Sequence, residues 1–333
     1  MRVLTVFGAG VMWAILCAPV IAGDYAGTPE VRDFAQRMAK EHGLDAGRVE
    51  ALLAGAKKQQ SILDAIARPA EKSKPWYEYR AIFLDEKRID RGVAFWFEYE
   101  TALQRAEKIY GVPPAVIVAI IGVETRYGTV TGNYRVLDAL TTLGFDYPPR
   151  AAFFSKELEH FLLLVNEQKQ NPLELKGSYA GAMGYGQFMP SSYRAYATDF
   201  DDDGVADIWN NPVDAIGSVA NYFNAHGWQS GQQVMLQAKA ANIYNEKLVN
   251  QIQPPILAVK DLSAAGFTPV ARGLLPTEKV IPLLFENEKG QDFWLGLNNF
   301  YVITRYNRSP LYARAVWELS EAIKERRHSA ASA

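Results

Sequence analysis

The chain of 333 residues sets 35 Lys and Arg against 37 Asp and Glu, so nothing in its charge favours nucleic acid or an anionic membrane surface as partner. With 49% hydrophobic and 22% charged residues it is an ordinary globular mixture, long enough for two or three domains. Its one cysteine, Cys17, excludes a disulfide framework.

The N-terminus reads as an export signal. Arg2 supplies a minimal positive region, residues 3–16 are apolar and uncharged, and Val20-Ile21-Ala22 is a small-x-small cleavage site ahead of Gly23. A retained anchor helix wants about 20 apolar residues, and Pro19 interrupts the run. Lipid attachment at Cys17 wants a small residue where Leu16 stands. Cleavage after Ala22 removes Cys17 and sends a thiol-free chain to an oxidising compartment. No later segment is long and apolar enough to span a bilayer.

Residues 28–70 have helical patterning, beginning at Thr28 and continuing through Val49, Leu52 and Leu53. Pro75 marks a connection, followed by the aromatic cluster Trp76-Tyr77-Glu78-Tyr79, in which Tyr79 is a candidate for stacking on a sugar. An amphipathic helix is expected over 91–110, with Phe95, Tyr99, Leu103 and Ala106 on one stripe. Pro113 and Pro114 start the next helix, which Gly128 and Gly132 are expected to end. That helix holds Val116, Ile117, Val118, Ala119, Ile120, Ile121 and Val123, then a single carboxylate, Glu124. An ionised Glu there is costly, and a carboxyl kept protonated near neutral pH is what a general acid needs. The competing reading is a Glu that emerges into solvent or pairs with Arg126.

Further helices are expected over 136–143, 151–168 and 213–226, with a Pro148-Pro149 turn between the first two. His226 has no His or Cys partner at metal spacing and reads as a helix-end residue. Between them, the segment 177–192 packs three glycines into 181–186, which lets the backbone approach another surface closely. Gln187 follows as an amide able to orient a hydroxyl or an N-acetyl carbonyl. No lysine stands in phosphate-loop spacing. Asp199, Asp201 and Asp203, then Gly204, match positions one, three, five and six of a calcium-binding EF-hand loop, with the Val205 carbonyl as a further ligand. Position twelve is Asn210 instead of Glu, and Asp214 can close a longer loop. Crowded carboxylates favour calcium over a solvated acidic loop and over magnesium. Short apolar runs over 233–290 suggest a small strand-rich domain, and a closing helix is expected over 310–327.

Taken together, Gly122-Val-Glu-Thr-Arg-Tyr-Gly128, Gly181-Ala-Met-Gly-Tyr-Gly-Gln-Phe-Met-Pro190, the 212–228 segment and Asn299-Phe-Tyr-Val-Ile-Thr-Arg-Tyr-Asn307 make the chain resemble the membrane-bound lytic murein transglycosylase B family. The resemblance covers most of the chain from about Tyr79 onward. It implies a mainly α (α+β) fold: a lysozyme-like catalytic core over 101–232 with a calcium loop at 199–214, and a flanking helical domain over 23–100 joined by the closing helix. A small β domain over 233–290 and a return to the cleft over 291–309 complete it. It implies Glu124 as the single catalytic acid and base, with Tyr79, Ser178, Gln187, Asn307 and Tyr312 lining the cleft and Tyr306 nearby. A structural Ca2+ would be held by Asp199, Asp201, Asp203, Val205 and Asp214.

The implied reaction is cleavage of the bond between N-acetylmuramic acid and N-acetylglucosamine, leaving 1,6-anhydromuramoyl ends. Peptidoglycan glycan strands are the expected partner, with other cell-wall enzymes as candidates. Leu16 before Cys17 departs from the lipidated members and implies a soluble periplasmic form. The rival readings are a muramidase that uses water, which would need Asp138, Asp146 or another second carboxylate, and a non-catalytic peptidoglycan-binding scaffold.

Overall fold

The apolar run around Val116 forms a helix sealed into the centre of the protein. In the computed structural model, which describes residues 23–67, 74–270 and 273–331, this helix (α7, Pro114–Thr125) has every residue but Glu124 buried. The expected export signal over 1–22 lies outside the described residues. Pro113 leads in with extended backbone and Pro114 takes the first helical turn, where a missing N–H costs nothing. The helix ends before the glycines expected to stop it. Arg126, Tyr127 and Gly128 all adopt left-handed backbone, with φ of 51°, 60° and 80°, so the chain turns out of the helix directly after Thr125.

The chain divides between Lys58 and Gln59 into two compact units. The first contains α1 (Pro29–His42) and α2 (Ala46–Ala54), capped by the side chains of Thr28 and Asp45. In the second, α3 (Gln60–Ala67) belongs with α8 (Val136–Asp146). The Gln59 amide donates to Thr142 Oγ1 at 3.0 Å, and its side chain donates to Asp138 at 3.4 Å.

The helices α4 (Trp76–Phe83) and α5 (Glu86–Glu98) pack against α13 (Pro310–Ala331), and α5 and α13 both pack on α7. The single helix expected over 91–110 is two: α6 (Glu100–Tyr110) starts after a break at Tyr99, where φ is −111°. No Gly or Pro marks this break. It lets Ile89 and Val93 face one part of the core while Ala102, Leu103 and Ala106 face α11 (Pro212–Ala225). No single described helix is long and apolar enough to cross a membrane; α6 and α7 pass only as a pair bent by 113°.

A two-stranded ladder of β1 (Tyr134–Arg135) and β2 (Lys176–Gly177) flanks α8, which α9 (Ala151–Glu167) and α10 (Pro190–Tyr196) follow. The β domain is an antiparallel sheet of β3 (Met235–Ala240), β4 (Leu257–Ala258), β5 (Phe267–Pro269), β6 (Lys279–Asn287) and β7 (Gly290–Gly296), ordered β4-β6-β7-β3-β5. Its last strand reaches Gly296, past the expected boundary at 290, and α12 (Asn298–Tyr306) then returns to the core. Arg314 of α13 ties the sheet down. Its guanidinium lies 4.4 Å over Trp76, 4.5 Å over Phe285 and 5.0 Å over Trp294, and pairs with Glu318 and Asp292. That contact fixes α4, which carries Tyr79.

Candidate active site

Glu124 occupies the last turn of α7, and the environment of that helix determines its chemistry. Its carboxyl is surrounded by protein on most sides, and no cation pairs with it among the described residues. Arg126, the alternative partner, is exposed and forms no ion pair with it. Burial pushes the Glu124 carboxyl from 4.5 up to about 7, while a hydrogen bond from Tyr312 pulls it back. Tyr312 stands in the first turn of α13, and its hydroxyl donates to Glu124 Oε1 at 2.5 Å. With Oε1 thus occupied, the acid proton is left to Oε2.

Three tyrosines feel the Glu124 charge: Tyr79, Tyr306 and Tyr312. Burial raises all three, with the nearby Glu124 charge adding to the effect, so they remain hydroxyl donors and do not act as bases. The Tyr306 hydroxyl donates to the Gly186 carbonyl at 2.5 Å. A side chain at Gly186 would meet that hydroxyl at 2.8 Å, which is why the Gly-rich segment carries no Cβ there. The Tyr79 ring packs at a tilt against Trp76 and Phe83, with ring centroids 6.5 and 5.2 Å away.

The Gly-rich segment lies beside the end of α7. Thr125 Oγ1 donates to the Tyr185 carbonyl at 2.9 Å and accepts from Gly128 N at 3.0 Å, a link that sequence reasoning missed because a buried Thr at a helix end carries no distinctive signal. Gly128 at φ 80° has the Tyr185 ring where a Cβ would sit. Gln187 has left-handed backbone, φ 49°, unusual for a residue with a side chain. Its Nε2 donates to the carbonyls of Thr131 at 3.1 Å and Gly184 at 3.0 Å. Both amide protons are therefore engaged, and the exposed function of Gln187 is its carbonyl oxygen, an acceptor. That corrects the expectation that it orients an N-acetyl carbonyl, which needs a donor. Ser178 Oγ accepts from the N–H groups of Ala180 and Ala182, at 3.3 and 3.1 Å, which leaves its proton to donate. Asn307 is exposed and directly follows Tyr306. Neither Ser178 nor Asn307 hydrogen-bonds to Glu124.

No carboxylate is among the groups that shift Glu124. Asp138 is buried and forms a bidentate pair with Arg135, at 2.8 and 2.7 Å, so it stabilises the start of α8.

In the acidic loop, ligand oxygens of Asp199, Asp201 and Asp203 lie within 4.8 Å of one another. Hard oxygen donors at this spacing repel unless a hard cation joins them, so the set fits calcium. Asp214 is not one of that group. Fully buried, it accepts from Phe200 N at 2.7 Å and Asp207 N at 2.8 Å, and so clamps the two ends of the loop. The Val205 carbonyl accepts from Asp207 N at 3.0 Å and keeps one lone pair.

Residues 26–321 match the family model for the transglycosylase SLT domain. The chain belongs to this family. It is 46% identical over 312 residues to membrane-bound lytic murein transglycosylase B of Escherichia coli (strain K12), covering 91% of this chain and 85% of that protein. The catenated lytic transglycosylase SltB1 of Pseudomonas aeruginosa superposes with a TM-score of 0.88 at 52% identity, over 91% of this chain and all of that one (100%). The Escherichia coli lytic transglycosylase Slt35 in complex with calcium gives a TM-score of 0.83 at 46% identity, over 92% and 96% of the two chains. The helical core is thus the lysozyme-like one of this family, and the chain is a peptidoglycan lytic transglycosylase.

A carboxyl raised by folding favours the native state at low pH. The benefit is complete below about 4.5 and lost as pH rises through about 7, because the native state then holds an unfavourable buried charge. Glu124→Gln removes that charge. It is expected to raise stability at pH 8 by on the order of 1–3 kcal/mol, with the gap closing by about pH 5. Denaturant unfolding at the two pH values checks this, and a pH-independent gap would refute it.

Proposed function

We propose that Glu124 acts alone, first as acid and then as base. Protonated on Oε2, it gives its proton to the oxygen between N-acetylmuramic acid and N-acetylglucosamine. The muramoyl acetamido carbonyl stabilises the charge developing at the anomeric carbon. Glu124, now ionised, takes the proton of the muramoyl 6-hydroxyl as that oxygen closes onto the carbon. The anhydro ring forms within one sugar, so the nucleophile has a high effective concentration and outruns water.

The observation that carries this reading is a buried carboxyl, raised to about 7, whose one hydrogen-bond partner among the described residues is the Tyr312 hydroxyl. Glycosidases that use water or a covalent intermediate place two carboxyls about 5–9.5 Å apart. Here the groups that sense Glu124 are tyrosines. Tyr312 would fix the carboxyl rotamer, Tyr79 would stack on the glycan, and Tyr306 would hold the Gly-rich segment in place. Gln187 would accept from a sugar hydroxyl or the acetamido N–H, with Ser178 and Asn307 lining the rim. Peptidoglycan lies in the periplasm of a cell with an outer membrane, and we infer that this is where the chain works.

Calcium, when bound, would be held by Asp199, Asp201, Asp203 and the Val205 carbonyl. Its role would be to neutralise the loop between α10 and α11, while Asp214 braces that loop through backbone amides.

Mass spectrometry of sugars released from purified sacculi tests the reaction. Products lighter by one water than the reducing muropeptides are expected, with cleavage abolished in Glu124→Gln; fully hydrated products would make the chain a hydrolase. EDTA is expected to lower the melting temperature, with calcium restoring it more effectively than magnesium. An unchanged melt would remove the ion from the account.

A further inference from the structure

At the foot of α7 lies a pocket whose chemistry differs from that around Glu124. A cavity of about 210 Å3 is lined by Asp85, Lys87, Arg88, Arg91, Arg126 and Tyr127. Four cations face one carboxylate. Arg88 is only 5% exposed, and its Nη1 is buried without a hydrogen-bond partner. Its ion pair with Asp85 runs through Nε at 3.9 Å, a loose contact. Lys87, Arg91 and Arg126 form no ion pair among the described residues. A buried guanidinium left short of acceptors is costly, and adding like charges beside it raises the cost. Burial lowers the Arg88 pKa, the Asp85 charge opposes that, and the neighbouring Arg126 charge lowers it further.

The pocket is held rigidly against the candidate site. Tyr127 donates to the Arg88 carbonyl at 2.8 Å, joining α5 to the end of α7. Arg126 sits two residues past Glu124 in a left-handed cap, φ 51°, which most side-chain-bearing residues avoid. On the other side, the Tyr79 ring lies 5.2 Å from Phe83, and the Arg88 guanidinium lies 5.1 Å over that same Phe83 ring. One aromatic ring thus separates the basic pocket from the tyrosine that senses Glu124.

Planar guanidiniums with unpaired donors suit an oxyanion, a carboxylate above all. The N-acetylated sugars of the glycan are neutral, and the muramoyl lactyl group is amide-linked where a stem is attached, so the anions of such a substrate belong to its peptide. We propose that the Arg88–Arg91–Arg126 pocket is an anion subsite that binds a carboxylate of the muramoyl peptide stem. It rests on the reading of Glu124 as the acid of a peptidoglycan transglycosylase, and it makes the pocket a determinant of substrate choice.

Isothermal titration calorimetry on the full chain tests binding without turnover, using a free stem tetrapeptide, the same peptide amidated at its carboxylates, and inorganic phosphate. The free acid is expected to bind and the amide not to. Arg126→Asn, which suits the left-handed cap, is expected to weaken binding about tenfold or more, and Arg91→Gln, at an exposed position, to weaken it too. The ratio of turnover on peptide-bearing to peptide-free strands should fall towards one in these variants. Equal binding of acid and amide, or equal loss on both kinds of strand, would overturn the proposal. So would phosphate binding that the peptide fails to displace. A wild-type chain that binds the peptide but releases no anhydro product would refute the Glu124 reading and leave the subsite standing, so the two failures are separable.

Discussion

The burial of one carboxyl at the end of an otherwise sealed helix is the constraint from which the rest follows. α7 is apolar on all sides because other helices surround it, and Glu124 is the one residue of it that stays partly accessible. Desolvation there disfavours the charged form, raising the carboxyl to about 7. A group so balanced can give a proton and take one back at neutral pH, which is what a single-residue mechanism demands. The same burial makes the site a cost to folding above neutral pH, a cost that the large hydrophobic core must offset.

Distant parts of the chain converge to create that environment. Tyr312 lies 188 residues from its partner Glu124, and Tyr306 lies 120 residues from the Gly186 carbonyl it holds. The β domain contributes indirectly, since Arg314 clamps Trp76, Phe285 and Trp294 together and thereby sets α4 and Tyr79. The acidic loop is braced at both ends by Asp214, so α10 and α11 flank the core through a closed connection. The tyrosine contacts and the Arg314 clamp each limit the freedom of a side chain around Glu124.

Much of this was legible in the sequence because it depends on local signals. Pro113 and Pro114 before an unbroken apolar run announced α7, and the lone Glu124 at its end announced an unusual carboxyl. The Asp199, Asp201 and Asp203 spacing is likewise local, and the three do meet. What was not legible depends on packing. The break at Tyr99 has no Gly or Pro behind it and arises because α5 and α6 serve different neighbours. The division at Lys58 reflects Gln59 bonding to α8, 83 residues away. The direction of Gln187 is set by the carbonyls of Thr131 and Gly184, and Asp214 turned out to bind backbone amides. The basic pocket joins residues from α5 and the end of α7 that form no motif in the linear chain.

The central claim is that burial holds the Glu124 carboxyl near neutrality, and it is open to direct measurement. A 13C NMR titration of Glu-labelled protein, with Glu124→Gln used to assign the δ-carbon resonance, reads that proton equilibrium alone. The account requires a midpoint near 7. A midpoint at the ordinary 4.5 would mean that Glu124 is ionised throughout the working range and cannot be the acid.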